Sequence, residues 1–122
     1  MRARPLVLVI DDSDDTRDLL AAVLHLEGFI VLEAPDGHEG LKVAFESRPD
    51  IIIADLQMPV MDGWEAIRRL RADSRTRHIP IIVCSGEEPA RKEDTPGDLF
   101  LPKPCPPDLL VSEVRGLVRR AS

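Results

Sequence analysis

The sequence predicts an α/β protein whose core is a doubly wound, five-stranded parallel sheet with strand order 2-1-3-4-5. Three observations support this fold class. Short apolar runs rich in valine and isoleucine alternate with segments of helical periodicity. Two of those runs stop abruptly on carboxylates, at Asp11-Asp12 and at Asp55. The length of 122 residues suits a single hydrophobic core, so residues 1–122 are expected to form one domain.

Each predicted element has its own local signal. The first helix begins near Ser13 and ends at Gly28, a residue typical of helix C-termini. Asp36 and Asp62 precede the next two helices as N-caps, and Pro107 opens the last one at a first-turn position. The predicted strands are residues 6–11, 29–34, 51–55, 80–84 and 99–101, and the predicted helices are residues 13–27, 37–47, 63–72 and a last helix from 107 onward.

The crossover between the fourth and fifth strands breaks this alternation. Residues 86–98 are mostly charged residues, prolines and glycines, with no apolar face for a helix to bury. We expect a single turn or a mobile loop there. The crossover helix is therefore predicted to be shortened or missing.

Composition argues against several classes of protein. A formal net charge of -6 with a pI near 5.0 disfavours direct binding of nucleic acid. The apolar runs are too short for a membrane span or a signal peptide, so a cytoplasmic protein without membrane contact is expected. Cys84 and Cys105 lack metal-binding spacing and are predicted to be reduced and structural. Because the sequence ends soon after the last predicted helix, we expect no DNA-binding or enzymatic output within it.

Residues able to do chemistry follow four of the predicted strands. Asp11-Asp12 and Asp55 end the first and third strands, Ser85 follows the fourth, and Lys103 lies just past the fifth. In the order 2-1-3-4-5 these strand ends meet at one edge, with Asp55 at the centre. Carboxylate oxygens from Asp12 and Asp55, with Asp11 acting through water, suit Mg²⁺. Ser85 and Lys103 can hydrogen-bond and neutralise a phosphoryl group on Asp55.

Four motifs in this order resemble the receiver domain of bacterial two-component response regulators (the CheY-like superfamily), over essentially the full length. They are Val9-Ile10-Asp11-Asp12, Asp55-Leu56-Gln57-Met58-Pro59-Val60-Met61-Asp62-Gly63, Cys84-Ser85-Gly86 and Leu101-Pro102-Lys103-Pro104. Any one alone is weakly specific, but four at successive strand ends are very specific. The resemblance implies the flavodoxin-like 2-1-3-4-5 fold already predicted from the order of the segments.

The resemblance also implies a function, namely that of a phosphoacceptor in a phosphorelay. Asp55 would take a phosphoryl group from a phosphohistidine of a sensor histidine kinase or histidine phosphotransfer protein, with Mg²⁺ required. Asp12, Asp55 and the backbone carbonyl of Gln57 would be metal ligands. Ser85 and Lys103 would bind the phosphoryl group, Ser85 and Phe100 would switch an interaction surface for a downstream protein, and the Lys103–Pro104 bond would be cis. Such a protein is not an enzyme beyond its own phosphorylation and dephosphorylation.

Two other functions are weighed against this one. A Mg²⁺-dependent aspartyl phosphohydrolase of the haloacid dehalogenase type carries Asp-x-Asp after its first strand, whereas this chain has Asp11-Asp12-Ser13. A phosphorylation-independent interaction domain would keep the acids as a relic. The departure from the receiver pattern lies between Ser85 and Phe100, which are separated by fewer residues than usual. We therefore expect the signal to leave through a non-standard surface, such as residues 86–98 or the last helix.

Overall fold

The computed structural model describes residues 3–86 and 97–121. Strands and helices alternate along these residues until the crossover before the last strand. The strands are β1 (Leu6–Ile10), β2 (Ile30–Ala34), β3 (Ile51–Ala54), β4 (Ile81–Ser85) and β5 (Leu99–Pro102), and the helices are α1 (Asp14–Leu26), α2 (Gly37–Ser47), α3 (Gly63–Ala72) and α4 (Pro107–Ala121). Within the described ranges, no helix combines the length and apolar character needed to cross a membrane.

The five strands form one parallel sheet in the order β2-β1-β3-β4-β5. This confirms the predicted fold class and strand order. Every residue of β1, β3 and β4 is buried, whereas β2 and β5 at the edges are partly exposed. The continuous apolar runs of the sequence are thus the central strands, because helices cover both faces of them.

The two faces of the sheet carry separate hydrophobic clusters. Side chains alternate between the faces along each strand, so neighbours in sequence belong to different clusters. Val7 and Val9 lie on the face that packs against α1 and α4, while Leu8 and Ile10 lie on the face that packs against α2 and α3. Helices therefore pack against both faces of the sheet, and the central strands that lead to its carboxyl edge are buried.

The predicted N-caps are confirmed. The Asp36 carboxylate accepts a hydrogen bond from the Glu39 N–H, and the Asp62 carboxylate accepts one from the Glu65 N–H, each at 2.9 Å. Ser13 caps α1 through the Thr16 N–H and so precedes the helix rather than opening it. These side chains satisfy N–H groups that the first helical turn leaves without backbone partners.

Several predicted strand boundaries were wrong by one residue. Asp11 and Asp55 lie just beyond β1 and β3, although their N–H groups still bond to Ala34 O and Ile10 O, respectively. Ser85 is the last residue of β4 rather than the first residue after it. Differences of this size reflect where pairing with the neighbouring strand ends, which the apolar pattern does not specify.

The crossover from β4 to β5 is described only at its two ends. The predicted turn or loop at residues 86–98, and with it the shortened or missing helix, falls largely on residues 87–96, which lie outside the described residues. Where the chain returns, Asp98 bonds to β4 at both its N–H and its carboxylate, through Ile81 O (2.8 Å) and Ile81 N (2.7 Å). Arg71 of α3 donates to the same Asp98 oxygen. These contacts lie at the amino ends of β4 and β5. We use the name amino-edge clamp for Arg71, Asp98 and the backbone groups to which they are hydrogen-bonded.

Candidate functional site

Three carboxylates meet at the carboxyl edge of the sheet. Asp11 and Asp12 follow β1, Asp55 follows the adjacent β3, and one oxygen from each lies within 4.8 Å of the others. Asp11 and Asp55 are buried, with 3% and 7% of their surface exposed, while Asp12 is exposed. We call these three residues the acid cluster. The structure thus brings together the acids that the strand ends predicted.

Lys103 places a positive charge against both buried acids. Its ammonium donates to Asp11 Oδ2 at 2.7 Å and to Asp55 Oδ2 at 2.9 Å. The Lys103 side chain, which comes from the end of β5, is thus long enough to reach past Asp55 to Asp11. These contacts raise the pKa of the Lys103 ammonium above its usual value, although desolvation by burial acts in the opposite direction.

Asp55 has two further hydrogen-bond donors. The Gln57 N–H donates to Asp55 Oδ1 at 3.2 Å, and the fully buried Ser85 hydroxyl donates to the same carboxylate. Burial by itself raises the pKa of Asp55, but the hydrogen bonds from Lys103, Ser85 and Gln57 outweigh it and hold that pKa below its usual value. The Asp55 carboxylate is therefore charged at neutral pH.

Ser85 and Lys103, which both hydrogen-bond to Asp55, are held in place by backbone contacts. Ser85 pairs with Pro102 at the end of the β4–β5 ladder, and the Lys103 N–H donates to Ser85 O at 3.0 Å. The Lys103–Pro104 peptide bond is cis, as predicted from the resemblance. The backbone thus fixes the positions of Ser85 and Lys103 relative to each other beside Asp55.

The loop from β3 to α3 fits tightly over the site. The Gly63 N–H donates to Leu56 O at 2.9 Å, and a Cβ on Gly63 would lie only 2.1 Å from Asp55 O. The sequence predicted only an N-cap at Asp62 and gave no sign that Gly63 approaches the backbone of Asp55 so closely. Glycine is required here because any side chain would displace the residue that carries the central carboxylate.

The same loop contains a strained turn. Val60 has φ +69° and is 85% exposed, and the Met61 N–H bonds back to Pro59 O at 2.8 Å, which closes a γ-turn. A β-branched residue rarely adopts positive φ. Strain of this kind is found at functional sites when the surrounding contacts determine the conformation. No periodicity in the sequence indicates it.

Arg17 is a further cation near the acids that the sequence did not reveal. Its side chain, only 13% exposed, donates to Asp11 O at 2.6 Å and lies 3.6 Å from the Glu33 carboxylate of β2. It also pairs with Asp14 of α1. Arg17 thus joins α1 to the end of β1 and to β2. The signal was weak because arginine on a helix is usually a solvent-exposed charge.

Phe100 and Trp64 do not belong to the acid cluster. Both are partly buried and pack against the hydrophobic cluster on the α2–α3 face of the sheet. Phe100 lies on β5, opposite Val83 of β4. Its surroundings among the described residues are those of a partly buried core aromatic residue on an edge strand.

The acid cluster fits a magnesium ion. Mg²⁺ prefers hard oxygen ligands and binds through one or two carboxylates while keeping several waters. Three carboxylate oxygens converge here, and one of the acids, Asp12, is open to solvent. The donor set contains neither sulfur nor imidazole, which disfavours zinc or copper.

Comparison with known proteins shows which family this sequence matches. The family model for the response regulator receiver domain matches residues 7–115. The DNA-binding dual master transcriptional regulator RpaA of Synechocystis is 34% identical over 120 residues, which are 95% of this chain and 50% of that protein. Response regulator PleD of Caulobacter vibrioides is 38% identical over 118 residues, 93% of this chain and 26% of PleD. The chain therefore spans half the length or less of these curated relatives.

Solved structures show the same likeness. The chemotaxis protein CheY4 of Vibrio cholerae superposes with a TM-score of 0.88 at 32% identity, covering 94% of this chain and 99% of that one. The receiver domain of the sensor histidine kinase PA1611 from Pseudomonas aeruginosa, solved with a magnesium ion in its active-site cleft, gives a TM-score of 0.85 at 26% identity, covering 96% of this chain and 99% of that one. On the strength of the strand order, the motifs and these matches, this chain belongs to the response regulator receiver domain family of two-component systems.

Proposed function

We propose that Asp55 accepts a phosphoryl group from a phosphohistidine of a sensor histidine kinase or histidine phosphotransfer protein. The observation that carries this proposal is the setting of Asp55: a buried, ionised carboxylate flanked by the Lys103 ammonium, the Ser85 hydroxyl and two further acids. The proposal takes residues 1–122 as one domain acting in the cytoplasm, as the sequence predicts. The protein catalyses its own phosphorylation and dephosphorylation and acts on no external substrate.

In the transfer step, an oxygen of the Asp55 carboxylate attacks phosphorus while the bond from phosphorus to the imidazole nitrogen breaks. The depressed pKa of Asp55 keeps the nucleophile deprotonated at neutral pH. The Lys103 ammonium and the Ser85 hydroxyl, already hydrogen-bonded to this carboxylate, stand where they can donate to the phosphoryl oxygens as the group arrives. Catalysis of this kind relies on positioning and charge neutralisation.

The acids supply a metal site for the same reaction. Asp12, Asp55 and the Gln57 carbonyl would hold Mg²⁺, with Asp11 contributing through water. When bound, Mg²⁺ neutralises charge on the phosphoryl oxygens. Asp11 has a second role, because its contact with Lys103 holds the ammonium close to Asp55.

The aspartyl phosphate carries about 1.5 to 2 negative charges in place of the single charge of the Asp55 carboxylate, in reach of both Ser85 and Lys103. We propose that Ser85 moves toward the phosphoryl group, that Phe100 turns inward, and that a surface for a downstream protein changes as a result. A nearly complete switch requires about 5.5 kcal/mol of differential stabilisation. Hydrogen exchange with and without beryllofluoride tests this step. Slower exchange in residues 97–101 or in α4 supports it, and unchanged exchange in both contradicts it.

The phosphoacceptor is tested by incubating the protein with acetyl phosphate and Mg²⁺ and measuring intact mass. We expect one phosphoryl group on the wild type and none on Asp55→Asn. Asp62→Asn is the matched control, because Asp62 lies in the same loop and serves only as an N-cap that asparagine replaces well. It should be labelled like the wild type, and omission of Mg²⁺ should abolish labelling.

Three results would contradict the proposal. A label that persists on Asp55→Asn would move the acceptor elsewhere, and no label on the wild type in Mg²⁺ would favour a phosphorylation-independent interaction domain. Phosphatase activity that survives Asp55→Asn but not Asp11→Asn would favour the phosphohydrolase instead.

A further inference from the structure

The two cysteines, predicted from the sequence to be reduced and structural, lie near each other at one hydrophobic cluster. Cys84 lies in β4 and is 5% exposed, and Cys105 packs against the same hydrophobic cluster from the loop that leads to α4. Each thiol lies near enough to the other to affect its pKa. The Cys105 sulfur also lies 3.7 Å from the Pro106 carbonyl oxygen. Both cysteines are free thiols in this structure.

Both cysteines lie close in sequence to residues of the candidate site. Cys84 directly precedes Ser85, and Cys105 follows Lys103 by two residues. The backbones of these two segments are already joined by the bond from Lys103 N to Ser85 O. A covalent bond between the sulfurs would therefore tie together the two segments that carry the phosphoryl-binding side chains.

We propose that Cys84 and Cys105 form a reversible intramolecular disulfide, with a small-molecule disulfide such as oxidised glutathione as the oxidant. The Cys105 thiolate attacks one sulfur of the oxidant, which releases one thiol and leaves a mixed disulfide on Cys105. The Cys84 thiolate then attacks the Cys105 sulfur and releases the second thiol. The protein loses two protons and two electrons in total, and the oxidant gains them as two thiols.

The order of these steps follows from exposure. Cys105 is partly exposed and Cys84 is buried, so an oxidant in solution reaches Cys105 first. Burial raises the pKa of Cys84 to about 12 and also raises that of Cys105, so both thiols are mainly protonated at neutral pH. The pair therefore stays reduced without an oxidant and responds slowly to one. The second step is intramolecular and benefits from the high effective concentration of a neighbouring thiol.

The disulfide would also regulate the site, a consequence that rests on the proposed function. Ser85 and Lys103 would lose the freedom to adjust around a phosphoryl group, because their segments would be cross-linked beside them. Small displacements of groups that position a reacting centre have large effects on rate. We therefore expect the oxidised protein to take up phosphoryl groups roughly tenfold more slowly or worse.

The disulfide is tested on the full chain by equilibration in glutathione buffers of increasing oxidation, acid quenching, alkylation of free thiols and intact mass. The wild type should pass from two alkylated thiols to a species lighter by two hydrogen atoms, without a lasting glutathione adduct. Cys84→Ser should instead accumulate one glutathione on Cys105. In urea, oxidation should raise the unfolding midpoint of the wild type and leave that of Cys105→Ser unchanged. A wild type that accumulates adducts like Cys84→Ser, or keeps both thiols free where that variant is modified, would overturn the proposal.

The regulatory consequence has its own readout. Acetyl phosphate labelling should slow on oxidation in the wild type and should not change in Cys105→Ser. Equal rates in the oxidised and reduced wild type would overturn the regulatory role while the mass measurement decides the disulfide. A reduced wild type that takes no label at all would count against the phosphoacceptor proposal, and the disulfide would still be read from mass.

Discussion

An ion pair lies at each end of strand β5, and the two pairs differ in their balance of charge. At its start, the amino-edge clamp joins one acid, Asp98, to one base, Arg71, at 2.6 Å. At its end, Lys103 faces the acid cluster, in which two buried carboxylates share a single ammonium. The first arrangement is balanced in charge, whereas the second has an excess of negative charge.

The difference is also seen in their remaining contacts. In the clamp, Arg71 donates to the carbonyls of Arg77 and Ile79, each at 2.8 Å, and Asp98 accepts from the Ile81 N–H. Backbone groups thus complete its hydrogen bonds, and nothing in it calls for a ligand. The acid cluster, in contrast, leaves Asp12 exposed beside two buried acids. The clamp stabilises the fold, and the cluster is arranged to receive a cation and a phosphoryl group.

The largest expected effect comes from removing the cation at the carboxyl edge. Lys103→Met would leave the buried Asp11 and Asp55 carboxylates side by side without a counterion. Breaking a fully buried ion pair in this way costs about 3 to 5 kcal/mol, and since Lys103 is partly exposed we expect about 2 to 3 kcal/mol. Urea unfolding measures the loss, and Mg²⁺ should recover part of it.

Lys42→Met is the matched control for this change. Lys42 is exposed on α2, so its loss should change the free energy of unfolding by no more than about 0.5 kcal/mol. If the two variants were equally stable, the ammonium would not be needed to hold the acids together.

Disrupting the amino-edge clamp should lower the free energy of unfolding by a somewhat smaller amount, without loss of labelling by acetyl phosphate. Asp98→Ala removes the acceptor for the buried Ile81 N–H, which we expect to cost about 1 to 3 kcal/mol in urea unfolding. Asp98→Asn keeps an oxygen at the same place and should lose less. Both variants should still be labelled by acetyl phosphate. Loss of the label together with the stability would mean that the two ends of β5 are not independent.

The smallest effect is expected at the strained turn over the site. Val60→Asn should raise the free energy of unfolding by about 1 kcal/mol, because asparagine tolerates positive φ better than a β-branched residue does. Leu26→Asn is the control, since Leu26 is also 85% exposed but lies in a helix. It should not gain stability. An equal gain in both variants would assign the effect to the loss of exposed apolar surface instead of strain.

Much of this architecture was predictable from the sequence, and the limits of prediction have physical causes. The central strands are buried on both faces, so they appear as unbroken apolar runs, and the acids that end them fall at one edge by topology alone. The reach of Lys103 to Asp11, the tight fit of Gly63 against Asp55 and the proximity of Cys84 and Cys105 depend on side-chain length and loop geometry. Those features leave no periodic signal in the sequence.

The claim that the carboxyl edge is a ligand site and the amino edge is not can be tested most directly by the effect of Mg²⁺ on stability. A ligand that binds only the folded state raises the free energy of unfolding as its concentration exceeds the dissociation constant. We predict that millimolar Mg²⁺ stabilises the wild type and Asp98→Asn by equal amounts and has a much smaller effect on Asp55→Asn. An equal shift in Asp55→Asn and the wild type, or no shift in the wild type, would contradict this account.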